Sequence, residues 1–235
     1  MFSFAEFFKP TRILPCSTFK ERFYTLLWVL LLGKLYDLIT AIGQGILREF
    51  HLFYPHTKIL QTTEIQGSSY LLAILVLYAP IYEELAFRLH LKPSVRNISI
   101  SLSLTVLFVL KVLLRRVTHI DSDFEWLNIL RDLAFAVVLF FLLRRSLKKT
   151  NVLEIYDKKF KLIYFLSVSL WTLLHFSNYS DGYSVSNIPS DLLNFSNLFF
   201  YGLLFSYLRM KSGVWVAICF HILTVAIKLS VWNSI

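Results

Sequence analysis

The sequence predicts an all-α fold, a polytopic membrane helix bundle of about seven transmembrane helices. Three observations carry that prediction. Hydrophobic residues make up 56% of the 235-residue chain and charged residues 17%, where a soluble domain has about 45–50% and about 25%. Mean hydropathy is +0.60, which argues against a disordered chain and a soluble globule, because too little polar side chain is left to cover a surface. The apolar residues gather into runs of hydrocarbon length. Lys and Arg concentrate on alternate connections between those runs. A formal charge of +9 on a soluble protein would raise nucleic acid as a partner. Distributed in this way, it makes the partner a lipid bilayer, and no nucleic acid is expected. Cys16 and Cys219 are the two cysteines and suggest no disulfide framework.

The elements follow in chain order. Residues 1–22 set five Phe among Lys9, Arg12, Lys20 and Arg22 and read as an interfacial or flexible basic segment. Residues 23–235 read as a single transmembrane domain. Its apolar runs lie at about 23–46, 68–91, 98–114, 127–143, 162–178, 191–208 and 213–232. Roughly 20 residues at 1.5 Å rise cross roughly 30 Å of hydrocarbon. Runs this continuous are helices, not the alternating ten-residue strands of a barrel. The first run starts late for a signal peptide and holds Lys34 and Asp37, spaced to pair on one helix. The third and fourth are short, Arg131 and Asp132 interrupt the fourth, and 98–147 reads as an inserted helix pair. Lys111 and Lys228 lie near helix ends, where they can snorkel. The polar stretch 179–190, YSDGYSVSNIPS, is a loop. Fifteen Lys and Arg fall on the side of the N-terminal segment and of the loop after the fourth helix, against five on the other. That bias puts the N-terminus in the cytoplasm and the C-terminus outside.

One stretch resists a purely structural account. PIYEELAFRLHL, residues 80–91, places Glu83, Glu84 and Arg88 in the second helix. Each such charge costs roughly 2.5–3.5 kcal/mol at mid-membrane. The eleven Leu, Ile, Val and Phe between 71 and 91 return roughly 0.3–0.6 kcal/mol each, too little for three unpaired central charges. Glu84 and Arg88 are four apart, share a face and can pair; Glu83 is five from Arg88 and points elsewhere. Pro80 removes a backbone N–H one turn earlier. A carboxylate left over inside a membrane is a functional candidate.

His175 and His221 sit in two further apolar runs. A lone helical His is usually a satisfied core residue, but two, with a spare Glu on a third helix, form a constellation. Counted from the basic side, Glu83 and His221 lie roughly 12 Å deep and His175 roughly 18–20 Å. A desolvated Glu can take a proton from water, one His can hold that water or a carbonyl, and a second can donate to an oxyanion. Together they can hydrolyse an amide without a nucleophilic Ser or Cys. No HExxH occurs, so no cofactor is expected; zinc held by His, His and Glu stays open as the second arrangement.

These residues resemble the CAAX protease and bacteriocin-processing family of intramembrane proteases, which includes the type II CAAX prenyl endopeptidases. Its EExxxR motif is matched by Glu83, Glu84 and Arg88. Its FxxxH motif is represented by Trp171 to His175, with Trp for Phe. Its third region fits Gly202, Arg209, Gly213 and His221. The chain departs from HxxxN, since position 225 is Val; Asn178, one turn after His175, is the nearest substitute. The resemblance implies an intramembrane endopeptidase acting on a membrane-associated peptide or protein, in a bacterial cell (inner) membrane. Glu83 is then the base on water, Glu84 and Arg88 a supporting pair, and His175 and His221 orient substrate and stabilise the oxyanion. Val225 motivates an alternative, a weak or inactive protein of the same fold that binds a partner, as in bacteriocin immunity. A proton-coupled carrier using Glu83 is the third reading; no inverted repeat supports it.

Overall fold

The computed structural model describes residues 18–50, 52, 74–118, 126–175 and 188–232. Residues 1–17, the start of the second apolar run, His51, His56, His119, Asn178 and most of the 179–190 loop fall outside them. Among the described residues there is no strand, and every expected run is helical. The helices are α1 (Phe19–Glu49), α2 (Ala79–Phe87), α3 (Val95–Thr118), α4 (Trp126–Leu147), α5 (Val152–His175), α6 (Ile188–Ser212) and α7 (Val214–Trp232). A π-helical turn, Ile74–Tyr78, leads into α2, and a 3-10 turn, Leu89–Leu91, follows it.

Four helices begin at least three residues earlier than hydropathy alone predicts: α3 at Val95, α6 at Ile188 (inside the expected 179–190 loop), and α1 and α5, whose causes are plain. Thr18 and Glu21 form a capping box: Thr18 Oγ1 accepts from the Glu21 N–H at 3.2 Å, and Glu21 Oε2 accepts from the Thr18 N–H at 3.2 Å. That pair starts α1 at Phe19 rather than at 23. α5 starts at Val152 rather than at about 162. Val152, Tyr156, Phe160 and Tyr164 are buried at a spacing of four, while Lys158, Lys159 and Lys161 are exposed. This stretch is an amphipathic extension, tied by the Lys158–Glu154 pair at 2.7 Å, and its charges hide it from an apolar-run search.

α6 is the central helix, with α1, α5 and α7 packed on it; α2 packs on α3 and α7, and α4 packs on α3. Tyr164, Leu204, Tyr207 and Leu208 are fully buried where these helices meet. The outward faces are apolar. Leu31, Leu38 and Ile42 on α1, Leu133, Val138 and Leu142 on α4, and Leu162, Leu166 and Leu173 on α5 are all exposed. So large an apolar surface needs lipid around it. α1 and Val95–Val112 of α3 are long and apolar enough to cross a membrane by length and composition.

Several charges in the apolar runs have local partners. Lys34 pairs with Asp37 at 3.1 Å, as its spacing predicts. Asp37 also accepts from the Tyr201 hydroxyl at 2.7 Å, which ties α1 to α6. Lys111 ion-pairs with Asp132, so the charge that interrupts the fourth run joins α3 to α4. At the basic end of the bundle, burial and then the Arg209 and Arg22 cations pull the Lys92 ammonium below its ordinary range. The start of α1, the end of α2 and the end of α6 therefore lie together.

Candidate active site

The site begins with how α2 starts and stops. Pro80 has no N–H to give, and the i→i+5 turn before it passes into α-helical bonding at Ala79. The helix then runs nine residues and ends at Arg88, whose N–H still reaches the Glu84 carbonyl at 3.2 Å. Helix ends leave carbonyls without intrahelical donors, which is costly in lipid. Here side chains from three helices supply the donors. Ser101 and Thr105 of α3 both donate to the Ala86 carbonyl, the latter at 2.9 Å. Ser167 of α5 donates to Phe87 O. The Arg209 guanidinium of α6 donates to Arg88 O at 3.3 Å and Leu89 O at 3.2 Å. α2 is held at the depth where its acidic residues face the bundle.

Glu84 and Arg88 form the pair that their spacing predicts: Arg88 Nη1 lies 2.8 Å from Glu84 Oε1, with side chains 1% and 0% exposed. The guanidinium lies over two rings, 4.5 Å from the Trp171 centroid and 5.1 Å from that of Phe205. Glu84 Oε1 also faces His221 Nδ1 at 3.0 Å, and the His221 ring stacks on Phe205 with centroids 4.2 Å apart.

Glu83 points the other way, into a second set of groups. Trp171 Nε1 donates to its Oε2 at 2.6 Å. On the same oxygen, His175 Nε2 lies at 3.6 Å and His221 Nε2 at 3.8 Å. His175 Nδ1 is 2.8 Å from the Trp171 carbonyl, which can only accept. Nδ1 is therefore the protonated nitrogen of His175, and its Nε2 faces Glu83. The Glu84 carboxylate makes the same assignment for His221. From the level where Ser167 meets Phe87, the rise of about 1.5 Å per residue carries the His175 backbone about 12 Å and Glu83 about 6 Å into the bundle, so His175 starts deeper and the two side chains reach toward each other.

The structure thus brings Glu83, Glu84, Arg88, His175 and His221 into one cluster at the meeting of α2, α5 and α7. It also explains the other motif positions. A Cβ on Gly202 would lie 2.9 Å from Val168 Cγ1 and 3.2 Å from Trp171 Cε3, so glycine lets α6 close on α5 behind the indole. Gly213 has φ +101° and ends α6, its N–H bonding Leu208 O at 3.2 Å. Thr224 is no substitute for the missing amide, since its hydroxyl donates to His221 O at 2.7 Å. His90 is buried apart from the cluster, with Nδ1 2.8 Å from Ser101 Oγ.

Sequence reasoning missed Ser101, Thr105, Ser167 and Phe205, and it took Trp171 only as an aromatic ring. The alternation Ser99, Ser101, Ser103, Thr105 in an apolar helix was the available signal for the carbonyl donors. Among the described residues, no three His, Cys, Asp or Glu side chains are grouped as metal ligands.

Comparison with known proteins finds a similarity over part of the chain. Residues 141–227 match the family model described as type II CAAX prenyl endopeptidase Rce1-like. The matched region holds α5 and α6 with His175, Gly202, Arg209, Gly213 and His221, and stops short of α2. No curated protein and no solved structure matches the chain.

Proposed function

Starting from a membrane-embedded helix bundle whose residues 141–227 match the type II CAAX prenyl endopeptidases, we propose that the chain is an intramembrane endopeptidase. It hydrolyses a peptide bond of a membrane-associated peptide or protein with a Glu83-activated water. The observation that carries the reading is the facing of two imidazole Nε2 atoms, from α5 and α7, onto one oxygen of Glu83. The rest of the cluster explains the division of labour. Glu83, Glu84 and Arg88 leave one negative charge in a low-dielectric interior, and His221 lies between the two carboxylates. With their Nδ1 atoms held by the Trp171 carbonyl and by Glu84, His175 and His221 both turn Nε2 to the site, where they orient the water and the substrate. Glu83 takes the water proton as the oxygen attacks the carbonyl carbon, and returns it to the departing amine as the C–N bond breaks.

The test is a turnover assay on the purified protein with a quenched fluorescent peptide ending in a farnesylated Cys-aliphatic-aliphatic-X sequence, and with its unprenylated twin. Cleavage that Glu83→Gln abolishes supports the reading; a Glu83→Gln variant that cleaves at the wild-type rate overturns it. Val225, where the family's HxxxN motif has Asn, favours one other reading: the same fold binding a partner without turnover. Peptide binding that saturates with no cleavage at any enzyme concentration marks that case.

A further inference from the structure

We infer that Trp171 is a positioning residue for Glu83, acting through its indole N–H and its own backbone carbonyl; this rests on the reading of Glu83 as base. The indole N–H at 2.6 Å is the shortest contact that Glu83 makes, and it falls on Oε2, the oxygen that faces both histidines. Hydrogen bonds to a charged acceptor are among the stronger ones in proteins. The donor is held still. Trp171 is 2% exposed, its ring lies under the Arg88 guanidinium, and its edge abuts the bare backbone of Gly202. An N–H on a wedged ring fixes the plane of a carboxylate that otherwise has free terminal torsions.

The same residue also decides how His175 faces the site. Its carbonyl takes the Nδ1 proton of His175 at 2.8 Å, which leaves Nε2 toward Glu83. One residue thereby aims both the carboxylate and one of its imidazole neighbours. The phenyl ring of an FxxxH motif fills this space without a donor. In this chain Val225, one turn beyond His221, offers none either. The neutral side-chain N–H at Glu83 stands on α5.

Three forms of the full chain in nanodiscs test the role: Trp171→Phe, Trp171 replaced by its benzothiophene analogue, and Glu83→Gln as reference. The analogue keeps the bicyclic shape and removes only the N–H. Against the farnesylated peptide, both Trp171 forms are expected to lose about ten-fold or more in kcat with KM close to wild type, and the benzothiophene form, which keeps the ring's shape, is expected to keep the melting temperature as well. A second readout needs no turnover. The Trp171 indole N–H proton resonance is expected downfield in the wild type and shifted upfield in Glu83→Ala. Wild-type kcat in the benzothiophene form, beside an inactive Glu83→Gln, removes Trp171 alone and leaves the base in place. An active Glu83→Gln removes the base reading itself. An indole resonance that Glu83→Ala does not move overturns the positioning role whatever the turnover.

Discussion

At the residue scale, Glu83 and Glu84 are neighbours in sequence that face different partners. Glu84 is fully buried and held by Arg88 and His221. Removing one partner of a buried pair typically costs roughly 3–5 kcal/mol, a large share of the roughly 5–15 kcal/mol that holds a folded protein together. Glu84→Gln and Arg88→Ala are therefore expected to lower the yield and melting temperature of detergent-purified protein. Glu83 is 14% exposed, and Gln in its place still accepts from Trp171. Glu83→Gln should melt at or above the wild type while losing turnover by about 10²–10⁴-fold, the usual worth of a general base. Melting curves beside turnover separate the two; a Glu83→Gln that melts lowest of the three makes the cluster a structural charge network. The proposed mechanism also needs no metal, so turnover is expected to persist in chelators. Near-stoichiometric zinc in purified protein, lost on changing His175 or His221, would promote a metallohydrolase mechanism instead.

At the scale of elements, the pairing of Glu84 with Arg88 was legible because it is a property of one helix and its period. The contact of Trp171 with Glu83 was not, since it spans 88 residues and depends on how α5 rotates against α2. The carbonyl donors were hidden for the same reason: a serine in an apolar helix does not announce which backbone it serves. Interhelical hydrogen bonds in membranes average only about 0.6 kcal/mol, so Ser167→Ala alone should be nearly silent in a melting curve. Ser101→Ala with Ser167→Ala strips a donor from each of two adjacent carbonyls and is expected to melt measurably lower. Gly202→Ala carries a different cost. Its methyl would meet Val168 and the Trp171 ring, an overpacking of about 1–3 kcal/mol, with turnover falling because the displaced ring carries the Glu83 donor. Gly202→Ala that keeps both stability and turnover would show that α6 can retreat freely from α5.

For the whole molecule, the bundle was readable from run length and charge, because a bilayer constrains both. Where helices leave the membrane was not readable from apolarity. α5 continues to Val152 on a charged, one-sided surface, and seven Lys and Arg between 144 and 161 thus surround the end of α4 and the start of α5. The fifteen-to-five bias leads us to propose that this end faces the cytoplasm. Reporter fusions should place 144–161 inside and 179–190 outside; an external signal from 144–161 would reverse the topology.

The distribution of donors around the end of α2 also sets a timetable. The helix that carries Glu83, Glu84 and Arg88 leaves the ribosome before Ser101, before Ser167 and Trp171, and long before Arg209 and His221. Until those segments are made, the neutraliser that the helix itself supplies is its Glu84–Arg88 pair. A nascent chain halted before Val214 therefore holds an unfinished, charged helix that the bilayer disfavours. Such a chain should linger at the insertion machinery or be degraded, and the cluster can close only as the last helix is delivered.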